Sequence, residues 1–415
     1  MQQSHTRANS RDAGMRDRAA RVLPGGMYGH QNAAFLPAGF PQFLERGRGC
    51  RIWDVDGNEY IDFMCSYGPI VLGHAHAVVD AAAAAQQAES DCQNGPSSRI
   101  VELAERLVDL IPHADWAMFA KNGTDATTLC VTIARAATGR PKILVARGAY
   151  HGSAPWCTPR PAGTTPEDRA NLLYYTYNDL ASVEAAVSEA GQGLAGILAS
   201  PFKHDAGFDQ ELVDPAFGRG LRAICDRTGA ALILDDVRCG FRFSLGGSWN
   251  PVGVEPDLSA FSKAIANGYP LAAVVGRDWF RGPVQQIFAT GSFWFSAVPM
   301  AASLATINTL SETGGIATMV SAGEKLRHGL STQAETYGLQ VRQTGPVQMP
   351  YLTFARDTAY ERANLFTSEA VKRGVYLHPR HNWFLSAAHT TEDINEALEV
   401  TDLAFAKVRA EFGTD

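Results

Sequence analysis

The chain has 415 residues, 46% of them hydrophobic, which is enough for a large buried core and, at about 150 residues per domain, for two or three domains. Its 36 Lys and Arg are outnumbered by 43 Asp and Glu, for a formal charge of −7, and no basic stripe is present to neutralise a phosphate backbone, which argues against nucleic acid as a partner. No apolar run approaches the roughly 18 residues of a membrane span, the N-terminus lacks the apolar stretch of a signal peptide, and the seven cysteines form no C-x-x-C pair, so a cytoplasmic protein with reduced thiols and no membrane contact is expected.

No fixed-period repeat and no long Pro, Gly or Ser linker interrupts the chain. Arg51-Ile-Trp-Asp-Val-Asp-Gly-Asn-Glu-Tyr-Ile-Asp-Phe reads as two short strands around an Asp56-Gly57 turn, closing an N-terminal segment. From about residue 76, helical and extended patterns alternate: Val78 to Glu89 and Ile100 to Ile111 helical, Trp116 to Ala120 extended, Asp125 to Ala137 helical, Lys142 to Ala146 extended. The runs Gly196-Ile-Leu-Ala, Ala231-Leu-Ile-Leu and Ala272-Ala-Val-Val are apolar throughout, as strands buried on both faces should be. The alternation continues to about residue 310 and predicts an α/β domain with a mostly parallel sheet. A long helix from Ile316 to Tyr337, then shorter strand and helix signals, predicts a smaller α+β domain. The expected division is residues 1–67 as an N-terminal segment packing with the small domain, 68–310 as the large domain and 311–415 as the C-terminal small domain.

The chain has no G-x-G-x-x-G after a strand, no G-x-x-x-x-G-K-[ST], no H-E-x-x-H and no G-x-S-x-G, which removes the main support for dinucleotide, P-loop, zinc-protease and hydrolase readings. Its 11 histidines are dispersed; the closest set, His74-x-His76, enters a helix and reads as capping or core, so no metal site is expected.

Four separated segments make chemical sense together. Phe119-Ala-Lys-Asn-Gly-Thr-Asp opens a helix after a strand, and its free N–H groups suit a phosphate, although the same residues also make an ordinary N-cap. Gly148-Ala-Tyr150-His151-Gly152 puts an aromatic ring and an imidazole at a strand end, where a flat ring could stack on either. Leu232-Ile-Leu-Asp235-Asp236-Val237 places two carboxylates directly after a buried strand, where burying an acid without a partner is expensive. Asp257-Leu-Ser-Ala-Phe-Ser262-Lys263 ends the next strand in a lysine that, if desolvated, can form a Schiff base. A phosphate cradle, a stacking ring, a buried acid and a lysine are together what pyridoxal 5'-phosphate requires.

At these residues the chain resembles the class III, fold-type I pyridoxal-phosphate aminotransferases and, within them, the glutamate-1-semialdehyde 2,1-aminomutases. The similarity runs from Leu23-Pro-Gly-Gly through Leu72-Gly-His-Ala-His to Ser386-Ala-Ala-His-Thr-Thr-Glu-Asp-Ile. The resemblance implies a large domain with a mostly parallel seven-stranded sheet flanked by helices and a smaller α+β domain built from both termini. It implies Lys263 as the Schiff-base lysine, Asp235 as partner of the pyridine nitrogen, Tyr150 stacked in front of the ring and Val237 packed behind it, with His151 beside them. Asn122, Gly123 and Thr124 fall on the family's S-G-T phosphate loop. Ser292 takes the place of a threonine that reaches the phosphate from the neighbouring subunit, which makes a homodimer with shared active sites the expected assembly.

The departures concern substrate. Asn32 stands where the aminomutases carry an arginine for the substrate carboxylate, Tyr67 replaces their pocket tryptophan, and a pocket glutamate falls on or near His381. Arg238 follows Asp-Asp-Val as a candidate carboxylate or phosphate clamp, with an ion pair to Asp236 as its structural alternative. Lys203 and His204 read as a solvated loop or as added pocket groups, and Arg380 joins His381 in a loop resembling one at the family's substrate entrance. The expected activity is amino-group transfer between an amino compound and a keto acid or aldehyde in specialised metabolism. The alternatives are a 2,1-aminomutase, or elimination, replacement or carbon–carbon chemistry on the same cofactor.

Overall fold

The computed structural model describes residues 9–37 and 39–414. At its centre is a seven-stranded sheet in the order Trp116–Ala120, Ala272–Gly276, Leu258–Phe261, Ala231–Asp235, Leu194–Ala199, Lys142–Ala146, Leu172–Tyr175. Ala272–Gly276 is antiparallel to both of its neighbours, and all the other pairs are parallel. The strands are apolar on both sides because helices cover both faces. Ile143, Ile233 and Val274 point toward the helix Gly123–Thr138, where Val131 and Ile133 meet them. Leu144, Ile197 and Leu232, one residue out of phase, point the other way, onto Val183 of Leu180–Ala190 and Leu221 and Ile224 of Pro215–Thr228.

The parallel strands share one C-terminal edge, and the loops that leave it open into a common crevice. Asp235 ends its strand there and Lys263 follows the neighbouring strand Leu258–Phe261 by two residues. Adjacent strand ends thus deliver the acid and the amine to one place.

Both chain ends build a second layer. Leu44–Arg48, Arg51–Asp54 and Glu59–Asp62 form an antiparallel meander, and its last strand pairs in parallel with Val375–Tyr376. Asp54 Oδ1 accepts the N–H groups of Asp56 and Asn58 at 3.0 and 2.8 Å, and Gly57 supplies the left-handed φ of +87° that closes the turn. Arg51 reaches across to Asp393 and Glu396 of the helix Thr391–Phe412 at 2.7 and 2.6 Å. The long helix is Gly315–Thr336, followed by the hairpin Val341–Thr344 with Tyr351–Phe354. His74 binds Asp62 Oδ2 at 2.7 Å, and His76 holds the N-cap position of Ala77–Glu89 without a side-chain bond. Among the described residues no helix is long and apolar enough to cross a membrane, and no group of three or more His, Cys, Asp or Glu is placed to hold a metal ion.

Candidate active site

Lys263 opens a single 3-10 turn, Lys263–Ala266, with φ of +49°, a left-handed conformation that costs a non-glycine residue roughly 1–2 kcal/mol. The Ser262 hydroxyl, donating to Leu271 O at 2.8 Å, ties down the residue before it. The amine lies on the floor of the crevice and makes no hydrogen bond or ion pair among the described residues. Desolvation, and then the positive charge of Arg238, push its pKa down to about 7. A large share of such an amine is already unprotonated near neutral pH and able to act as a nucleophile or a base.

Asp235 is buried, and its Oδ2 lies 2.6 Å from His151 Nδ1 while Oδ1 accepts the Val237 N–H at 3.2 Å. His151 therefore does not stack on a ring; it sits behind the acid and aims it. Its Nε2 is buried without a partner. Tyr150, 44% exposed, lies over the crevice, and burial of its hydroxyl end raises its pKa. Asp236 points away: it accepts the N–H and the hydroxyl of Ser248, and burial raises its pKa to about 7. The ion pair weighed between Arg238 and Asp236 does not form, because Ser248 occupies both carboxylate oxygens.

The helix Gly123–Thr138 begins in a capping box. Asn122 Oδ1 accepts the Asp125 N–H at 3.3 Å, while Asp125 Oδ2 accepts the N–H groups of Asn122 and Lys121 at 3.1 and 3.2 Å. The backbone donor of Asn122 is therefore used within the box, which removes it from the expected phosphate donors. Gly123 and Thr124 supply the first two N–H groups of the helix, which have no intrahelical partner. Gly123 is needed for a second reason: a Cβ there would stand 2.6 Å from Val237 Cγ1. Thr124 Oγ1 accepts the Ser153 N–H at 3.1 Å, and Gly152 packs so closely that a Cβ on it would meet Thr124 Oγ1 at 2.5 Å.

Tyr67 ends a run of three left-handed residues, Cys65, Ser66 and Tyr67, that turns its ring into the crevice. His381 packs edge-on against it at 5.2 Å between ring centres, and His30 does the same at 4.7 Å. Arg238 Nη1 donates to Asn382 Oδ1 at 3.0 Å and to His204 O at 3.3 Å. The structure thus joins Tyr67, Arg238 and His381, and places the other candidates as follows. Asn32 caps the short turn Ala33–Phe35 by accepting the Ala34 N–H at 2.9 Å. Arg380 is exposed and lies over the Tyr360 ring at 4.9 Å. His204 is buried rather than solvated, whereas Lys203 beside it points out to Glu211. Ser292 is exposed and makes no hydrogen bond within its own chain among the described residues. His30 and His378 were missed: neither belongs to a motif. His204 carried a signal in the inward alternation of Phe202 and His204.

An amine and an acid at adjacent strand ends, facing a helix N-terminus across a crevice, define a fold-type I pyridoxal-phosphate enzyme. The class-III aminotransferase family profile matches residues 37–400, and the chain belongs to that family. It is 48% identical over 405 residues to the aminopentol aminotransferase of Sphingopyxis macrogoltabida, covering 98% of this chain and 96% of that one. The solved pyridoxal-phosphate internal aldimine form of the Sphingopyxis sp. MTA144 FumI protein superposes with a TM-score of 0.96 at 49% identity, covering 97% of each chain. A glutamate-1-semialdehyde 2,1-aminomutase from Syntrophobacter fumaroxidans stands further off, at 32% over 419 residues, 94% of this chain and 96% of that protein. The protein is a pyridoxal-phosphate-dependent aminotransferase. The residues fit the cofactor: Gly123 and Thr124 present helix N–H groups without intrahelical partners, His151 holds Asp235 in place, and the Lys263 amine is desolvated and without a hydrogen-bond partner among the described residues.

Proposed function

We propose that the donor of this aminotransferase is a hydroxylated primary amine without a carboxylate, and that its acceptor is a keto acid. The observation that carries the donor reading is the wall around Tyr67, built from neutral rings. Burial and the charge of Arg380 push His378 down to about 4, burial and Arg238 push His381 well below the usual imidazole range, and burial lowers His30. His378 Nδ1 accepts the Arg380 N–H at 3.1 Å, which leaves its other nitrogen to donate, and His381 Nδ1 donates to Asn382 O at 2.7 Å, which leaves its other nitrogen to accept, so the wall offers a donor and an acceptor, the pattern that reads hydroxyl groups. Asn32, where the resemblance puts a carboxylate-binding arginine, is occupied with its local turn. The relative that is 48% identical is named for an amine with five hydroxyls.

In this reading Gly123 and Thr124 hold the phosphate, Asp235 keeps a proton on the ring nitrogen, His151 keeps Asp235 in line, and Tyr150 and Val237 enclose the ring from its two faces. Pyridoxal phosphate, when bound, acts as an electron sink and carries the amino group between the two halves of the reaction. Lys263 would hold the cofactor through its amine and, once displaced by the donor, would be placed to take the proton from the amine-bearing carbon and return it on the cofactor side. Ser292 and the exposed Phe288 and Phe293 form part of a homodimer contact through which each copy completes the other's phosphate site. The seven free cysteines, five of them buried, suit the cytoplasm.

Comparing kcat/KM for a hydroxylated alkylamine of six or more carbons with that for its counterpart ending in a carboxylate beside the amine tests the donor reading. A preference of at least about tenfold for the neutral amine, some 1.4 kcal/mol, is expected. A preference for the amino acid would overturn it.

A further inference from the structure

Arg238 is held by only one of its terminal nitrogens. Nη1 is shared between two neutral oxygens, Asn382 Oδ1 and His204 O, while Nε and Nη2 make no hydrogen bond and no ion pair among the described residues. The residue is partly exposed, and neither Nε nor Nη2 is among the fully enclosed polar atoms left without a partner, so the unused edge is not sealed by protein. A guanidinium edge with two parallel N–H groups matches a carboxylate bidentately, and leaving such a charge unpaired in a desolvated site is costly.

We infer that the free Nε–Nη2 edge of Arg238 holds the carboxylate of the acceptor, a small 2-keto acid, while the donor amine uses the neutral wall around Tyr67. This deepens the reading of the acceptor given above and rests on it. Arg238 lies three residues beyond the strand end at Asp235 and Lys263 two residues beyond the adjacent parallel strand, so the guanidinium and the amine share one strand-end crevice. After desolvation, the charge of Arg238 is the largest influence on that amine, ahead of Asp235 from the strand end and of Cys239 and Arg242 from the same loop. His30, His204 and His381 face the same amine from three other segments. A small 2-keto acid carries its carbonyl and carboxylate on adjacent carbons, the spacing that serves two groups set at neighbouring strand ends. By reversibility, the amino acid formed from that acceptor is the small amino acid that runs the reaction backward.

Holoenzyme with Arg238→Gln and Arg238→Lys tests this with three probes: pyruvate, propionaldehyde as a neutral carbonyl of the same length, and the donor amine in a single turnover. In R238Q the KM for pyruvate should rise roughly 10- to 100-fold, the loss expected for a charge-assisted pair. Because the lost charge also acts on Lys263, it should change propionaldehyde turnover and the donor single turnover alike, and the kcat/KM ratio of pyruvate to propionaldehyde should fall roughly 10-fold or more. R238K, which keeps the charge but not the fork, should fall between. A parallel rise for pyruvate and propionaldehyde, or no rise for either, would overturn the assignment. Absence of the donor half-reaction in wild-type protein would instead bring down the aminotransferase reading beneath it. Calorimetric binding of propionate to the R238K holoenzyme gives a readout without turnover and without the R238Q fold: about tenfold weaker binding than wild type is expected, and equal binding contradicts the clamp.

Discussion

At the scale of single residues, the site depends on groups held in states they would not adopt in water. Lys263 combines a left-handed backbone with an amine brought down to about 7, against an ordinary value of 10.5. The linkage has a definite sign. Between those two values the unfolded chain binds more protons than the folded one, so the apo-enzyme gains stability as pH rises through that window. Lys263→Met removes this dependence. Its stability advantage over wild type, measured by urea unfolding of both apo-proteins, should be largest at or below pH 7 and shrink by up to about 1.4 kcal/mol per pH unit above it. An advantage independent of pH would show that the amine is not desolvated. Asp235, Tyr150 and Lys263 were legible in the sequence because acid, ring and amine stand at the ends of apolar strands, where an unpartnered polar group needs a reason. The roles of His151 and Asn122 were not, since the partner of each depends on geometry: Asp235 is 84 residues from His151, and Asp125 takes up the Asn122 N–H.

At the scale of elements, the decisive contact is that between the N-terminus of Gly123–Thr138 and the loop after Ala231–Asp235. A Cβ on Gly123 would overlap Val237, a β-branched side chain with little rotamer freedom. Gly123→Ala should therefore destabilise the protein by about 1–3 kcal/mol and weaken cofactor binding. Val237→Ala in the same chain should restore part of both, giving a favourable coupling in a double-mutant cycle read by denaturation and cofactor titration. Additive effects would show that the two elements do not press on each other. The individual strands were readable as short apolar runs, and Trp116–Ala120 and Lys142–Ala146 fall where the pattern put them. Their order in the sheet was not readable, because it depends on crossovers between segments whose local patterns are alike. The pocket wall was the least legible part: His30, Tyr67 and His381 come from three distant segments and meet only once both chain ends fold back onto the crevice.

At the scale of the molecule, the segment carrying Ser292 presents Phe288, 95% exposed, and Phe293 to solvent in the single chain. In the homodimer proposed above, a second copy would cover these rings. Phe288→Asp together with Phe293→Asp should shift the protein toward monomer in sedimentation and weaken cofactor binding at least tenfold, since each site would lose Ser292 of a second copy. A monomeric variant with unchanged cofactor affinity would refute sharing of the sites.

The central claim, amino transfer in two separable halves through Lys263, is tested most directly by the absorption spectrum of the reconstituted enzyme. Addition of a hydroxylated amine alone should convert the cofactor to its pyridoxamine form, and addition of pyruvate alone should then restore the starting spectrum. Lys263→Ala should do neither at a measurable rate. Failure of every amine to produce the pyridoxamine form, combined with isomerisation of glutamate 1-semialdehyde by the same preparation, would contradict the account and favour the aminomutase.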